Sequence, residues 1–85
     1  MRVTLRYFAW VREKVGRAEE SVELPAHVAT IADLFAWQRS RGAGFADAFE
    51  RADVVRAAID QAHALAGQPI AGAREIAFFP PVTGG

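Results

Sequence analysis

The chain contains no cysteine and only one lysine, and none of its apolar runs is long. Without cysteine there are no disulfides, no thiolate metal ligands and no thiol nucleophile. A membrane helix needs about 20 consecutive apolar residues, and no segment here approaches that length. The opening residues run straight into a strand-like pattern, so neither a signal peptide nor a membrane anchor is expected, and the expected location is the cytoplasm. An excess of one charge is also missing, because ten basic and ten acidic residues balance to zero. Every basic residue except Lys14 is an arginine, and none of them cluster, so no nucleic-acid footprint is expected. His27 and His63 stand far apart without ligand spacing, so they read as surface or structural residues and no metal site is expected. The 85 residues make one domain, whose small core leaves little interior for a buried active site. No catalytic constellation is visible.

The hydrophobic pattern predicts an order of elements. Val3, Leu5, Tyr7 and Ala9 alternate with Arg2, Thr4 and Arg6, the period of a half-buried strand that leaves Phe8 on its outer side. Residues 9–15 (AWVREKV) predict a short helix closed by Gly16 in a left-handed cap. Ser21–Leu24 predicts a second strand, antiparallel to the first and ended by Pro25. Thr30 and Asp33 form a capping box before a helix expected over Ile31–Arg41, with Ile31, Leu34, Phe35 and Gln38 on its core face and Trp37 on its flank. A second short helix is expected over Phe45–Ala52, with Phe45 and Phe49 facing the core. Val54–Ile59 and Ala62–Leu65 predict a hairpin turning at Asp60-Gln61, and Glu75–Phe79 the last strand. Its alternation puts Ile76 and Phe78 on one face and Ala77 and Phe79 on the other. Strands grouped around one main helix predict an α+β fold with a mixed sheet of about five strands.

The segment FFPPVTGG, Phe78–Gly85, carries the functional signal. Pro80 and Pro81 have no backbone N–H, so the ladder stops there, and both stiffen the exit into an extended path. The residues from Pro80 to Gly85 reach at most ~20 Å from the body. Gly84 and Gly85 carry no side chain, so such a tip can enter a passage closed to any other residue. The expected organisation is a domain over residues 1–79 and a flexible tail over residues 80–85.

This ending resembles that of the small subunits of molybdopterin synthase, which are ubiquitin-like sulfur carriers. The opening Val3–Gly16, VTLRYFAWVREKVG, and the order of elements resemble them too. The resemblance implies a β-grasp (ubiquitin-like) fold. It also implies that Gly85 is the reactive residue, that Gly84 provides clearance, and that the chain is not an enzyme on its own. In that family an activating enzyme uses ATP to adenylate the terminal glycine, a sulfurtransferase supplies sulfur, and AMP leaves to give a thiocarboxylate. The large subunit then accepts the tail, in a heterotetramer, and the sulfur passes to a cyclic pyranopterin precursor of the molybdenum cofactor. No cofactor is expected on the chain itself. Phe8, Phe79, Pro80, Pro81, Val82 and His63 are the expected partner-binding residues, Phe8 and Phe79 forming an exposed apolar patch. Two features depart from the family: residues 71–74 (AGAR) replace an acidic turn, and His63 stands near a place that is usually aliphatic.

Three other readings compete. A thiazole-pathway sulfur carrier shares the fold and glycine pair but generally lacks the Phe-Phe-Pro-Pro run. A ubiquitin-like modifier would form isopeptide bonds through the same glycine, and a plain interaction domain would have an unreactive tail.

Overall fold

The computed structural model describes residues 1–81. The opening alternation becomes strand β1 (Arg2–Tyr7), with Val3, Leu5 and Tyr7 buried. Ala9 does not extend that alternation; it turns the chain at φ 53° and starts helix α1 (Ala9–Val15). Gly16 ends α1 at φ 88°, its N–H donating to the Arg12 carbonyl at 2.8 Å, a conformation that costs glycine little. Strand β2 (Glu19–Glu23) returns antiparallel to β1, Val22 opposite Val3. It begins before the expected Ser21 because Leu5 and Arg6 keep pairing with Glu20 and Glu19.

Helix α2 (Ile31–Arg39) begins with the predicted capping box. The Thr30 hydroxyl accepts from the Asp33 N–H at 3.2 Å, and the Asp33 carboxylate accepts from the Thr30 N–H at 3.1 Å. Its predicted core face is the observed one: Ile31, Leu34, Phe35 and Gln38 are buried. The helix stops short of the expected Arg41. The Ser40 hydroxyl donates to the Trp37 carbonyl at 2.6 Å, and Arg41 turns away to Glu20. Gly42, just after the expected end of α2, opens helix α3 (Ala43–Phe49) at φ 136°. That helix sits earlier in the chain than the predicted Phe45–Ala52, so Phe49 is fully buried while Phe45 is half-buried. Gly44 lets α3 approach α1 closely, since a Cβ there would lie 2.5 Å from the Lys14 carbonyl oxygen.

Strand β3 (Arg56–Ile59) starts later than Val54, because the Val54 and Val55 N–H groups both donate to the Arg51 carbonyl and hold a turn. Asp60 and Gln61, at φ 48° and 72°, make the two-residue turn into β4 (Ala62–Ala64), which ends before the expected Leu65. Positive φ at both central residues matches the twist of a hairpin. The Asp60 carboxylate then accepts from the Arg74 and Glu75 N–H groups at 3.0 and 2.9 Å, tying the hairpin to the start of β5 (Glu75–Phe79).

The strand order is β2-β1-β5-β3-β4, with β1 and β5 parallel and every other pair antiparallel. This is the expected mixed sheet, and the helices cover its inner face. Phe78 lies at the centre of the core, 0% exposed. It stacks on Tyr7 at 5.6 Å and meets the edges of Phe35 and Phe49 at 5.7 and 5.0 Å. Such aromatic pairs add to the stabilisation from area burial alone.

Candidate functional site

The chain leaves the sheet where β5 ends, and the residues around that exit form the candidate site. Phe79 is the last residue of β5, and Pro80 and Pro81 follow it, both half-buried. Register sets what lies beside them. Tyr7 pairs with Phe78 across the parallel ladder, and the Phe8 N–H donates to the Phe78 carbonyl at 3.0 Å. Phe8 therefore stands next to Phe79 on the outer face. On the other side Phe79 pairs with Arg56.

Phe8 is 40% exposed, with the Arg6 guanidinium 5.2 Å from its ring centroid. Alternation predicts that Phe79 is exposed as well, and it is half-buried instead. A residue on an inner strand, flanked by Phe8 and Arg56, is partly covered by both neighbours. The predicted faces of β5 are otherwise observed: Phe78 points into the core and Phe79 away from it.

One row deeper on the same face, Arg6, Ala77, Ala58 and His63 stand side by side across four strands. His63 is exposed and so shares the outer face with Phe8 and Phe79. Ala58 and Ala77 are only 9% and 8% exposed yet lie outside the core cluster. They form a shallow, apolar floor between the larger side chains. Sequence reasoning missed both alanines, and missed Arg6 and Arg56 at the rim. The signal was present in β3 and β5, where outward positions hold alanine instead of the polar residue usual on a solvated face. Val82, Gly84 and Gly85 lie outside the described residues.

Elsewhere the polar groups satisfy one another. Tyr7 donates to Glu20 at 2.7 Å and accepts from the Gln38 amide at 2.9 Å, while Arg41 grips Glu20 with two nitrogens at 2.7 and 2.9 Å. Burial, and then the Glu20 hydrogen bond, push the Tyr7 phenol far above its usual pKa. The Arg41 hydrogen bond holds the Glu20 carboxyl below the usual carboxylate range. A phenol this reluctant to ionise and a carboxylate already bound are poor proton carriers, so this cluster clamps the fold. Among the described residues no group of three His, Asp or Glu side chains could hold a metal ion. No helix among them is long and apolar enough to cross a membrane.

The arrangement defines a class, a ubiquitin-like β-grasp protein. The chain superposes on the crystal structure of SAMP1 from Haloferax volcanii with a TM-score of 0.71, at 24% identity and over 100% of both chains. It superposes on a putative molybdopterin converting factor subunit 1 from Pyrococcus furiosus with a TM-score of 0.66, at 22% identity, covering 96% of this chain and 99% of that one. In sequence it is 34% identical to the molybdopterin synthase sulfur carrier subunit of Escherichia coli K12, over 98% of this chain and 99% of the relative. Residues 5–85 match the ThiS family, and the chain belongs to it.

Proposed function

We propose that this chain is the sulfur carrier subunit of a molybdopterin synthase, with Gly85 as the site that carries sulfur. The observation that bears most weight is the near full-length likeness to the Escherichia coli sulfur carrier subunit, at 34% identity. The family match extends through Gly85 and so includes the glycine pair.

The chemistry explains the design. A terminal carboxylate ordinarily titrates near pH ~3.5 and is anionic at neutral pH, which makes it a poor electrophile. Adenylation by a separate ATP-using enzyme joins one carboxylate oxygen to the α-phosphate of ATP, making it part of a good leaving group, and releases pyrophosphate. A sulfur nucleophile then displaces AMP, and the product is a thiocarboxylate. Its anionic sulfur attacks the pterin precursor inside the large subunit, which supplies the catalytic side chains. The small subunit's own task is delivery. Pro80 and Pro81 end the ladder and stiffen the exit, Gly84 lets the tip through, and Val82 is the tail's one apolar anchor.

The outer face supports docking on such partners. Phe8, Phe79 and the Ala58–Ala77 floor form an apolar surface beside the tail's exit, with Arg6, Arg56 and His63 around it. Exposed apolar surface on a small domain usually marks a partner site.

The test is sulfur transfer in a reconstituted system with the activating enzyme and large subunit. Removing Gly85, or adding one residue after it, is expected to abolish transfer and leave the melting temperature unchanged. The intact mass of the protein from its own host is expected to show an oxygen-to-sulfur exchange at the terminus. Normal transfer by either variant removes Gly85 from its role, and chains found joined to lysines of other proteins would favour a modifier.

A further inference from the structure

A second apolar surface lies on the helix-covered side of the sheet, between α2 and the β3–β4 hairpin. It is a groove of about 540 Å³, within the range of binding clefts. Ile31, Phe35, Val55, Ala57 and Ala64 form its buried floor. Leu65, at its rim, is 71% exposed, the most exposed large apolar side chain among the described residues.

Charge and backbone narrow the occupant. Arg39 and Arg56 line the groove, and no acidic residue does. Each guanidinium donates to a backbone carbonyl, of Phe49 and Asp53 respectively, but neither has a carboxylate within salt-bridge distance among the described residues. Most of the other arginines do have one, so these two guanidiniums are left to meet an anion from outside.

The groove also runs beside an unpaired sheet edge. β4 is an end strand, and the two-residue hairpin makes Ile59–Ala62 a hydrogen-bonded pair. Pairs alternate along an antiparallel ladder, so the backbone N–H and C=O of His63 face away from β3. Edge strands are usually guarded by charge or proline. The opposite edge, β2, is guarded by Glu19, Glu20 and Glu23, whereas β4 reads Ala-His-Ala. The three β2 carboxylates already hold cations, so β4 is the edge that carries neither an acidic residue nor a proline.

We propose that this groove binds an extended peptide segment of a partner protein, one with a short apolar run flanked by acidic residues. The segment pairs with the free edge of β4, its apolar side chains enter the groove, and its carboxylates meet Arg39 and Arg56. This groove adjoins the surface proposed for sulfur delivery and shares Arg56 and His63 with it.

The experiment uses the full chain labelled with ¹⁵N and titrated with N-acetylated heptapeptides in which three Val, Leu or Ile residues are flanked on both sides by Asp or Glu. A matched set with Lys in place of the acids is the control. The acidic set is expected to shift the amides of His63, Ala64, Leu65 and Ala32, weakening as salt rises. The lysine set is expected to leave them still. Arg39→Gln with Arg56→Gln should lower the affinity at least tenfold while the melting temperature holds. Arg39→Glu with Arg56→Glu should transfer the preference to the lysine set. Equal binding of both sets, shifts confined to the Phe8–Phe79 surface, or no shift at millimolar peptide each overturn the proposal. Concentration-dependent shifts of these amides without peptide would assign the groove to a second copy of the chain and overturn it as well.

Discussion

Two adjacent phenylalanines divide the work between folding and recognition. Phe78 is fully buried against three aromatic rings, so Phe78→Ala removes packing that the core cannot refill. The expected loss is about 3–5 kcal/mol, a large share of a small domain's stability, measurable by urea denaturation. Phe79→Ala, on the half-buried outer face, is expected to cost much less stability and instead to weaken binding of the large subunit, measured by calorimetry on the folded variant. If Phe79→Ala unfolds the domain while affinity per folded molecule is unchanged, the outer face is not the docking surface. Gly44 offers a third single-residue test. A Cβ there would meet the backbone oxygen of Lys14, which cannot move like a side-chain tip, so Gly44→Ala should destabilise by about 1–3 kcal/mol despite its better helix propensity.

Between elements, the Tyr7–Glu20–Arg41 cluster joins β1, β2 and the segment after α2. It explains why α2 ends where it does: Arg41 lies over the rings of Phe45 and Trp37, at 4.1 and 4.6 Å, while binding Glu20. The sign of its pH dependence follows from the depressed Glu20 carboxyl. A carboxyl whose folded pKa lies below its unfolded value contributes stability above the unfolded value, about 4.3, and loses it as pH falls through the folded value. Stability is therefore expected to fall on acidification below about pH 4. Glu20→Gln should be less stable at pH 7 and lose less between pH 7 and pH 3, compared by thermal melts. A variant that keeps the wild-type acid profile would mean that other carboxylates dominate it.

For the whole molecule, the pairing of β1 with β5 joins the two ends of the described chain in one ladder. Such long-range contacts form only after the intervening chain has been ordered, so the fold should be cooperative and not modular. A chain ending at Arg74 is expected to show no cooperative thermal transition, because it lacks both the central strand and Phe78. A chain ending at Pro81 keeps every strand and should melt like the full protein. If the shorter chain folded, β5 would be an accessory strand and not the centre of the sheet.

Local chemistry was legible in the sequence. The Thr30–Asp33 capping box, the Gly16 cap, the Asp60-Gln61 turn and the bounds of β5 each depend on a few neighbouring residues, and the structure shows them where they were expected. The functional reading likewise rests on a short linear segment, Phe78–Gly85, read with the opening residues. Tertiary structure decided what depends on residues distant in sequence. Ser40 and the pull of Glu20 on Arg41 ended α2 early, and the close seat of Gly44 against Lys14 accompanies a third helix that starts before its expected place. Continued pairing with β1 drew β2 back to Glu19. The outer face emerged only in register, since Phe8, Ala58, Ala77 and Phe79 come from β3, β5 and the residue after β1, which periodicity alone cannot align. A cap or a turn is stabilised within a few residues of chain, whereas a surface exists only once the sheet has brought its strands together.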